Sequence, residues 1–223
     1  MNISYLTLII ITLVIGLGTQ ALIRGAYKKW NRVAVSTGIT GAEAARRMLD
    51  AHGLHQVSIQ SVSGSLTDHF DPRSNVVSLS QDVYSGRSVS ATAIACHECG
   101  HAVQHAQGYV PAKMRGAIVP AVNFASNIWI FVLFAGLFMQ MLGLIYLSII
   151  LYLAVIAFQL VTLPVEFDAS RRALGYIKTL GQLPDQQVGG ARTVLRSAAL
   201  TYVAAALTSL LYLVWLLGYT RSN

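Results

Sequence analysis

Residues 117–165 read AIVPAVNFASNIWIFVLFAGLFMQMLGLIYLSIILYLAVIAFQLVTLPV, without one charged side chain. A helix needs about 20 apolar residues to cross the hydrocarbon core of a bilayer, so this stretch holds two spans. The polar, glycine-containing break at Gln140–Gly143 (QMLG) is the hairpin between them. Two further apolar stretches, Tyr5–Ile23 and Ala198–Tyr219, lie on either side. The 223 residues are 54% hydrophobic and 11% charged, with a mean hydropathy of +0.55. A soluble domain carries about 25% charged residues. The polar sequence left over is too short to bury these stretches as core helices of a soluble protein. The reading is an integral membrane protein with four transmembrane helices. No basic residue precedes Tyr5–Ile23, whereas Arg24, Lys28, Lys29 and Arg32 follow it. That order predicts a retained anchor with its N-terminus outside, not a cleaved signal peptide.

Charge placement sets the expected orientation. All but one of the Lys and Arg residues fall in segments 24–115 and 166–197, the exception being Arg221. Four spans put both segments on one side, and the excess of Lys and Arg makes that side the cytoplasm. The expected localisation is thus the plasma membrane, multi-pass, with the polar segments inside. The net charge of +7 follows from this topology and from contact with anionic headgroups of the lipid bilayer. Nucleic acid is not an expected partner: the charges are dispersed, with no aromatic interleaving. Cys96 and Cys99 lie on the reducing side, which argues against a structural disulfide.

The chain then divides into an N-terminal anchor (1–29), a cytoplasmic module (30–116), a transmembrane hairpin (117–165), a cytoplasmic helical segment (166–197) and a last span (198–223). There is no internal repeat and no low-complexity tract. Within the module, Thr40 and Glu43 form a capping-box pattern before AARRMLDAHG, a short helix stopped by Gly53. VSIQSV, SLTDHF and VVSLS read as three strands of a meander, the last two joined by the Asp-Pro turn DPRSN. A helix is expected from about Ser88 to Gln107, with Gly108 as its stop. The second polar segment reads as helical from Pro164 to Leu180, broken at GQLPDQQVGG, and helical again into the last span.

The chemistry lies in ACHECGHAVQHA, residues 95–106. His97-Glu98-Cys99-Gly100-His101 matches H-E-x-x-H, whose histidines at i and i+4 share one helix face and converge on one metal ion. The intervening Glu98 is placed to take a proton from a zinc-activated water and pass it to the leaving amine. Zinc makes such a water a nucleophile near neutral pH, lowering its pKa from 15.7 to roughly 7. Such a catalytic site has three protein ligands and an open position. His105 completes an i, i+4, i+8 row, but its Cα lies about 12 Å from that of His97 on a straight helix. Gln104 and Gln107 occupy the positions at which a metzincin needs glycine and histidine, which excludes that class. Cys96 and Cys99 form a C-x-x-C pair that reads better as small buried residues. The better candidates are distant: LPVEFDASRRALGY places Glu166 and Asp168 at the end of the third span. A helix emerging there can lay Glu166 against the HECGH helix and complete a His-His-Glu site.

Three blocks carry a resemblance to a known family: LTDHFDPRSNVVSLS (66–80), DVYSGRSVSATAIACHECGHAVQHAQGYVP (82–111) and LPVEFDASRRAL (163–174). They resemble the YugP-type membrane-bound zinc metallopeptidases over nearly the whole chain. That family is similar to the HtpX-like gluzincins, in which HELGH precedes a distant glutamate ligand in an E-F-x-A-D-R-type segment. The resemblance implies Zn²⁺ as cofactor, peptidase activity on a protein or peptide substrate, and Glu166 as the ligand beside His97 and His101. Ser170 stands where those relatives carry aspartate, which leaves Asp168 or Ser170 as the partner of the liganding histidines. In gluzincins an edge strand holds the substrate by β-pairing; here that strand is near SLTDHF or VVSLS.

The expected fold is therefore an α-helical integral membrane protein with four transmembrane helices and a small α+β zincin-like cytoplasmic catalytic module. The expected function is a membrane-embedded zinc endopeptidase of the HExxH gluzincin type. The alternative is a zinc-stabilised, non-catalytic scaffold or assembly subunit, for which a general base at Glu98 has no use. An intramembrane protease would need HECGH inside an apolar span, yet His101, Gln104, His105 and Gln107 follow Glu98. Tyr202 reads as an interfacial aromatic anchor, with donation to an oxyanion as its other reading. Substrate specificity and oligomeric state are not written in the sequence. The topology has a direct test. Impermeant thiol reagents applied to intact cells should miss Cys96 and Cys99, and a reporter fused after Asn223 should score as external. An internal reporter refutes the orientation.

Overall fold

The structure is a computed structural model and describes residues 4–179 and 183–222. Its elements run α1 (Tyr5–Asn31), α2 (Gly41–Ala51), β1 (Ser58–Val62), β2 (His69–Asp71), β3 (Val76–Ser80), α3 (Gln81–Tyr84), α4 (Val89–Ala106), α5 (Val110–Phe138), α6 (Leu142–Thr179) and α7 (Asp185–Ser222). Helices α1, α5, α6 and α7 are long and apolar enough to cross a membrane. Each of the four expected apolar stretches lies inside one of these longer helices. Two compact units emerge: residues 1–20, 113–163 and 201–223 form the first, and 21–112 with 164–200 the second.

In the first unit, Leu133, Ile145, Ile149, Tyr152, Ile156 and Leu216 form a buried apolar cluster. The ring centroids of Trp129 and Tyr152 lie 4.4 Å apart, with the planes tilted by 38°. The hairpin turns at the expected place. Gln140 takes φ 56°, and the Met141 amide donates to the Gly136 carbonyl at 2.9 Å. Gly136 is required there, because a Cβ on it would lie 2.9 Å from the Ile145 backbone nitrogen.

The second unit is built around α4. Its Ser88 N-cap accepts from the Ala91 amide, and Gly108 at φ 65° follows its last turn. Ala44, Ala45, Met48 and Leu49 of α2 share the core with Ala95, Cys96, Cys99 and Ala102 of α4. The Thr40–Glu43 capping box that starts α2 is present in both directions. The end of α1 is tied to the start of α4. Ser88 Oγ donates to Asn31, Ser90 Oγ donates to the Tyr27 carbonyl, and the Val35 and Val89 amides pair with Arg87 and Val33.

The sheet differs from the expected meander. Its order is β1-β3-β2, with β1 and β3 parallel and β2 antiparallel to β3. The third strand takes the centre because Val77 to Ser80 are buried, whereas β1 is half-buried at most. A strand buried on both faces needs neighbours on both edges. Strand β2 is also shorter than SLTDHF. Gly64 at φ 105° and Leu66 at φ 58° hold the preceding residues in a loop, and Asp68 caps that loop by accepting from the Ser80 amide and hydroxyl. A further difference lies near GQLPDQQVGG. Residues 180–182 lie outside the description, and α7 already begins at Asp185, so DQQVGG is helical. Gly190 explains part of this, since a Cβ there would meet the Trp30 ring at 2.4 Å, and only glycine lets the two pack. Gln187, on the preceding turn, donates to the Ala34 carbonyl.

Candidate metal centre

His97 and His101 lie one turn apart on α4, with ring centroids 4.8 Å apart and planes at 84°. Glu166 comes from α6. One carboxylate oxygen of Glu166 lies 3.3 Å from His97 Nε2 and 3.6 Å from His101 Nε2. The three ligand atoms fall within 4.8 Å of one another, and Glu166 is buried. Two imidazole nitrogens and one carboxylate suit a borderline cation, and zinc above all. The residues present therefore fit the implied metal.

The outer ring nitrogens are also held. Ser170 Oγ lies 3.1 Å from His97 Nδ1, and Gln104 Oε1 lies 3.0 Å from His101 Nδ1. With Nδ1–H donating to Gln104, the His101 ring presents the Nε2 lone pair to the cluster. Gln104 is fixed in turn, because its amide donates to the Val165 carbonyl at 2.8 Å and to Asp168 at 2.9 Å. Asp168 also receives Arg171 and Arg172. The two candidate partners thus divide the work: Ser170 meets His97 directly, and Asp168 reaches His101 through Gln104. Nothing in the sequence marked Gln104 beyond its place one turn after His101.

Electrostatics follow the packing. Burial opposes charge on both Glu166 and His101, but their contact outweighs it. The Glu166 carboxyl is held well below the usual range by His101 and His97, and the His101 ring is pushed up by Glu166. A set that shares protons this tightly is one that a divalent cation can take over by displacing them. Glu98 is buried on the same turn, and its burial pushes the carboxyl up. The two imidazoles oppose the rise, and Glu166 and Asp68 add to it. Arg172, Gln104 and Arg171 hold the Asp168 carboxyl low against its burial.

The other candidates fall away from the cluster. His105 is exposed and stacks near Phe70 of β2, 5.9 Å between centroids. Cys96 and Cys99 are buried, and burial pushes the Cys96 thiol up to about 12, far from the thiolate a metal requires. Tyr202 lies on α7 in the first unit.

Gly100 is what brings the two helices together. A Cβ on it would lie 2.7 Å from the Ala169 carbonyl oxygen and 3.1 Å from the Ala169 Cα. The glycine of HECGH therefore serves the placement of Glu166, because any side chain there pushes α6, and Glu166 with it, away.

Comparison with known proteins agrees with this chemistry. A family model described as "Putative neutral zinc metallopeptidase" matches residues 5–221. The protein described as "Putative membrane protease YugP", from Bacillus subtilis (strain 168), is 46% identical over 210 residues, covering 94% of this chain and 93% of that one. No solved structure matches the chain at a significant level.

Gly100→Ala should cost about 1–3 kcal/mol by overpacking and lower both thermal stability and metal content. Melting temperature and metal analysis on the purified variant check this. Unchanged values for both refute the close-approach role.

Proposed function

The chain belongs to the neutral zinc metallopeptidase family, and we propose that it is a membrane-embedded zinc endopeptidase of the HExxH gluzincin type, hydrolysing peptide bonds at the cytoplasmic membrane face. The observation that carries this reading is the convergence of His97, His101 and Glu166, with Glu98 buried on the same turn. His97, His101 and Glu166 are the zinc ligands. A bound zinc supplies Lewis-acid activation of the attacking water and of the scissile carbonyl.

Glu98 is the general base: it takes the proton from the attacking water and returns it to the leaving amine. Ser170 and Gln104 keep the two imidazoles in register. The catalytic module, a small α+β zincin-like unit, draws on segments 30–116 and 166–197. Strand β2 pairs with β3 on one edge only among the described residues, which suits it to hold an extended peptide on the other. Phe70 of β2 packs on His105 of α4, which sets that strand beside the HECGH helix. The one-sided distribution of Lys and Arg supports a cytoplasmic location for this module. Substrates are proteins or peptides, and a membrane-held enzyme meets membrane-associated ones most often.

Two experiments test the assignment. Glu166→Ala should release zinc, whereas His105→Ala should keep it. Metal analysis giving the reverse sinks the ligand set. Glu98→Gln keeps the size of the side chain but cannot accept the proton. It should leave a folded, zinc-loaded protein whose cleavage rate falls by a factor of about 10²–10⁴. Wild-type cleavage by Glu98→Gln refutes the mechanism, and loss of its zinc makes Glu98 a ligand.

A further inference from the structure

The first unit carries polar side chains where the sequence is otherwise apolar. Helices α1 and α7 flank a groove of about 310 Å³, lined among others by Thr12, Gly16 and Gln20 of α1 and by Ala204, Ala205 and Thr208 of α7. The hydroxyls of Thr12 and Thr208 donate to carbonyls of their own helices, Ile9 and Ala205, both at 3.0 Å. Their oxygens keep lone pairs to accept with. Gln20 is exposed, and its carboxamide has no hydrogen-bond partner among the described residues. Nothing lies within 4 Å of a Cβ placed on Gly16, so another backbone can approach closely. Lipid tails fill such a groove but satisfy none of its polar atoms.

A surface with the complementary need exists on the same chain. Asn123, Ser126 and Asn127 are exposed on α5. Asn127 and Ser126 each donate to the Asn123 carbonyl, at 2.8 and 3.2 Å. The carboxamide of Asn123 has no partner among the described residues. Exposed carboxamides within an apolar span are costly and mark sites of helix association.

The two surfaces also agree in depth. At 1.5 Å per residue, Asn123 and Asn127 lie about 12 and 18 Å along the helix from Arg115, the last charge before the apolar block. On α1, Gly16 and Thr12 lie about 12 and 18 Å from Arg24, and on α7, Ala204 and Thr208 lie about 12 and 18 Å from Arg196. Measured from the basic boundary, the small positions of the groove match Asn123, and its threonines match Asn127.

We propose that a second copy of this chain seats the Asn123/Asn127 face of its α5 in the groove between α1 and α7. The Asn127 N–H left over from its bond to the Asn123 carbonyl donates to a threonine oxygen, and Gly16 and Ala204 leave room for Asn123 at their depth. Because the two surfaces differ, the contact is head-to-tail and propagates into a ring or a row in the membrane plane, not into a closed two-fold pair.

Cysteine cross-linking between differently tagged single variants tests this in native membranes, with buried Cys96 and Cys99 giving little background. Each chain carries one new cysteine, so any bond between tags joins two copies. Mixing Thr12→Cys with Asn127→Cys, or Gly16→Cys with Asn123→Cys, should give mixed-tag dimers on mild oxidation. Thr12→Cys alone and Asn127→Cys alone should give few. Cross-links mainly between identical variants, to an unrelated protein, or not at all overturn the proposal. As a second measurement, Asn123→Leu with Asn127→Leu preserves an apolar span and should insert normally. Energy transfer between labelled copies should report association weakened on the order of 3- to 30-fold per hydrogen bond lost. Unchanged association in that variant overturns the proposal too.

Discussion

Gly100 has no side chain, and the carbonyl of Ala169 lies where one would go. That single backbone contact sets the distance between α4 and α6, and the candidate metal centre is built on it. Glu166 and Ser170 are four positions apart on α6, so they share the face that meets His97. Val165 and Asp168 lie beside them and anchor Gln104, which holds His101. One stretch of α6 therefore supplies the third ligand candidate and the supports of both imidazoles. Close-packed interiors transmit small displacements instead of absorbing them. A shift of α6 would thus reach all four side chains together.

The polar atoms gathered there lie in an otherwise apolar setting, and the surroundings are arranged accordingly. Helix α4 is buried on most of its sides among small residues, and its two imidazoles keep only a small exposed edge. A polar group so placed is held most cheaply by a partner in the protein. Gln104 is the pivot, for it accepts from one side and donates twice to the other. Two arginines on Asp168 complete the chain at its outer end, where charge is cheaper to hold.

How far the sequence spoke for itself depended on the range of the interaction concerned. His97 and His101 were legible because the relation of i to i+4 is local, and the same holds for the Thr40–Glu43 box and for the stops at Gly53 and Gly108. Glu166 was legible for another reason: acids are scarce in the second polar segment, and the resemblance carried the rest. Strand order was not legible. Parallel pairing of β1 with β3 depends on which strand is buried, and burial is decided by α2, α3 and α4 together. Nor were Gln104 and Gly100 legible, because each acts on a residue more than sixty positions away. The early start of α7 was hidden by the Gly-Gly pair, which reads as a break until Trp30 is seen against Gly190.

The separation of His101 from Glu166 along the chain sets an order of events during synthesis. The HECGH helix is made first. The carboxylate follows only after α5 and most of α6, the two helices of the apolar hairpin, have left the ribosome. Until that hairpin has entered the bilayer and returned, the two imidazoles stand without their acidic companion. A nascent or half-inserted chain is therefore chemically idle, and a mature site certifies that the membrane part has been threaded. Late completion of the site is thus a form of restraint written into the order of the helices.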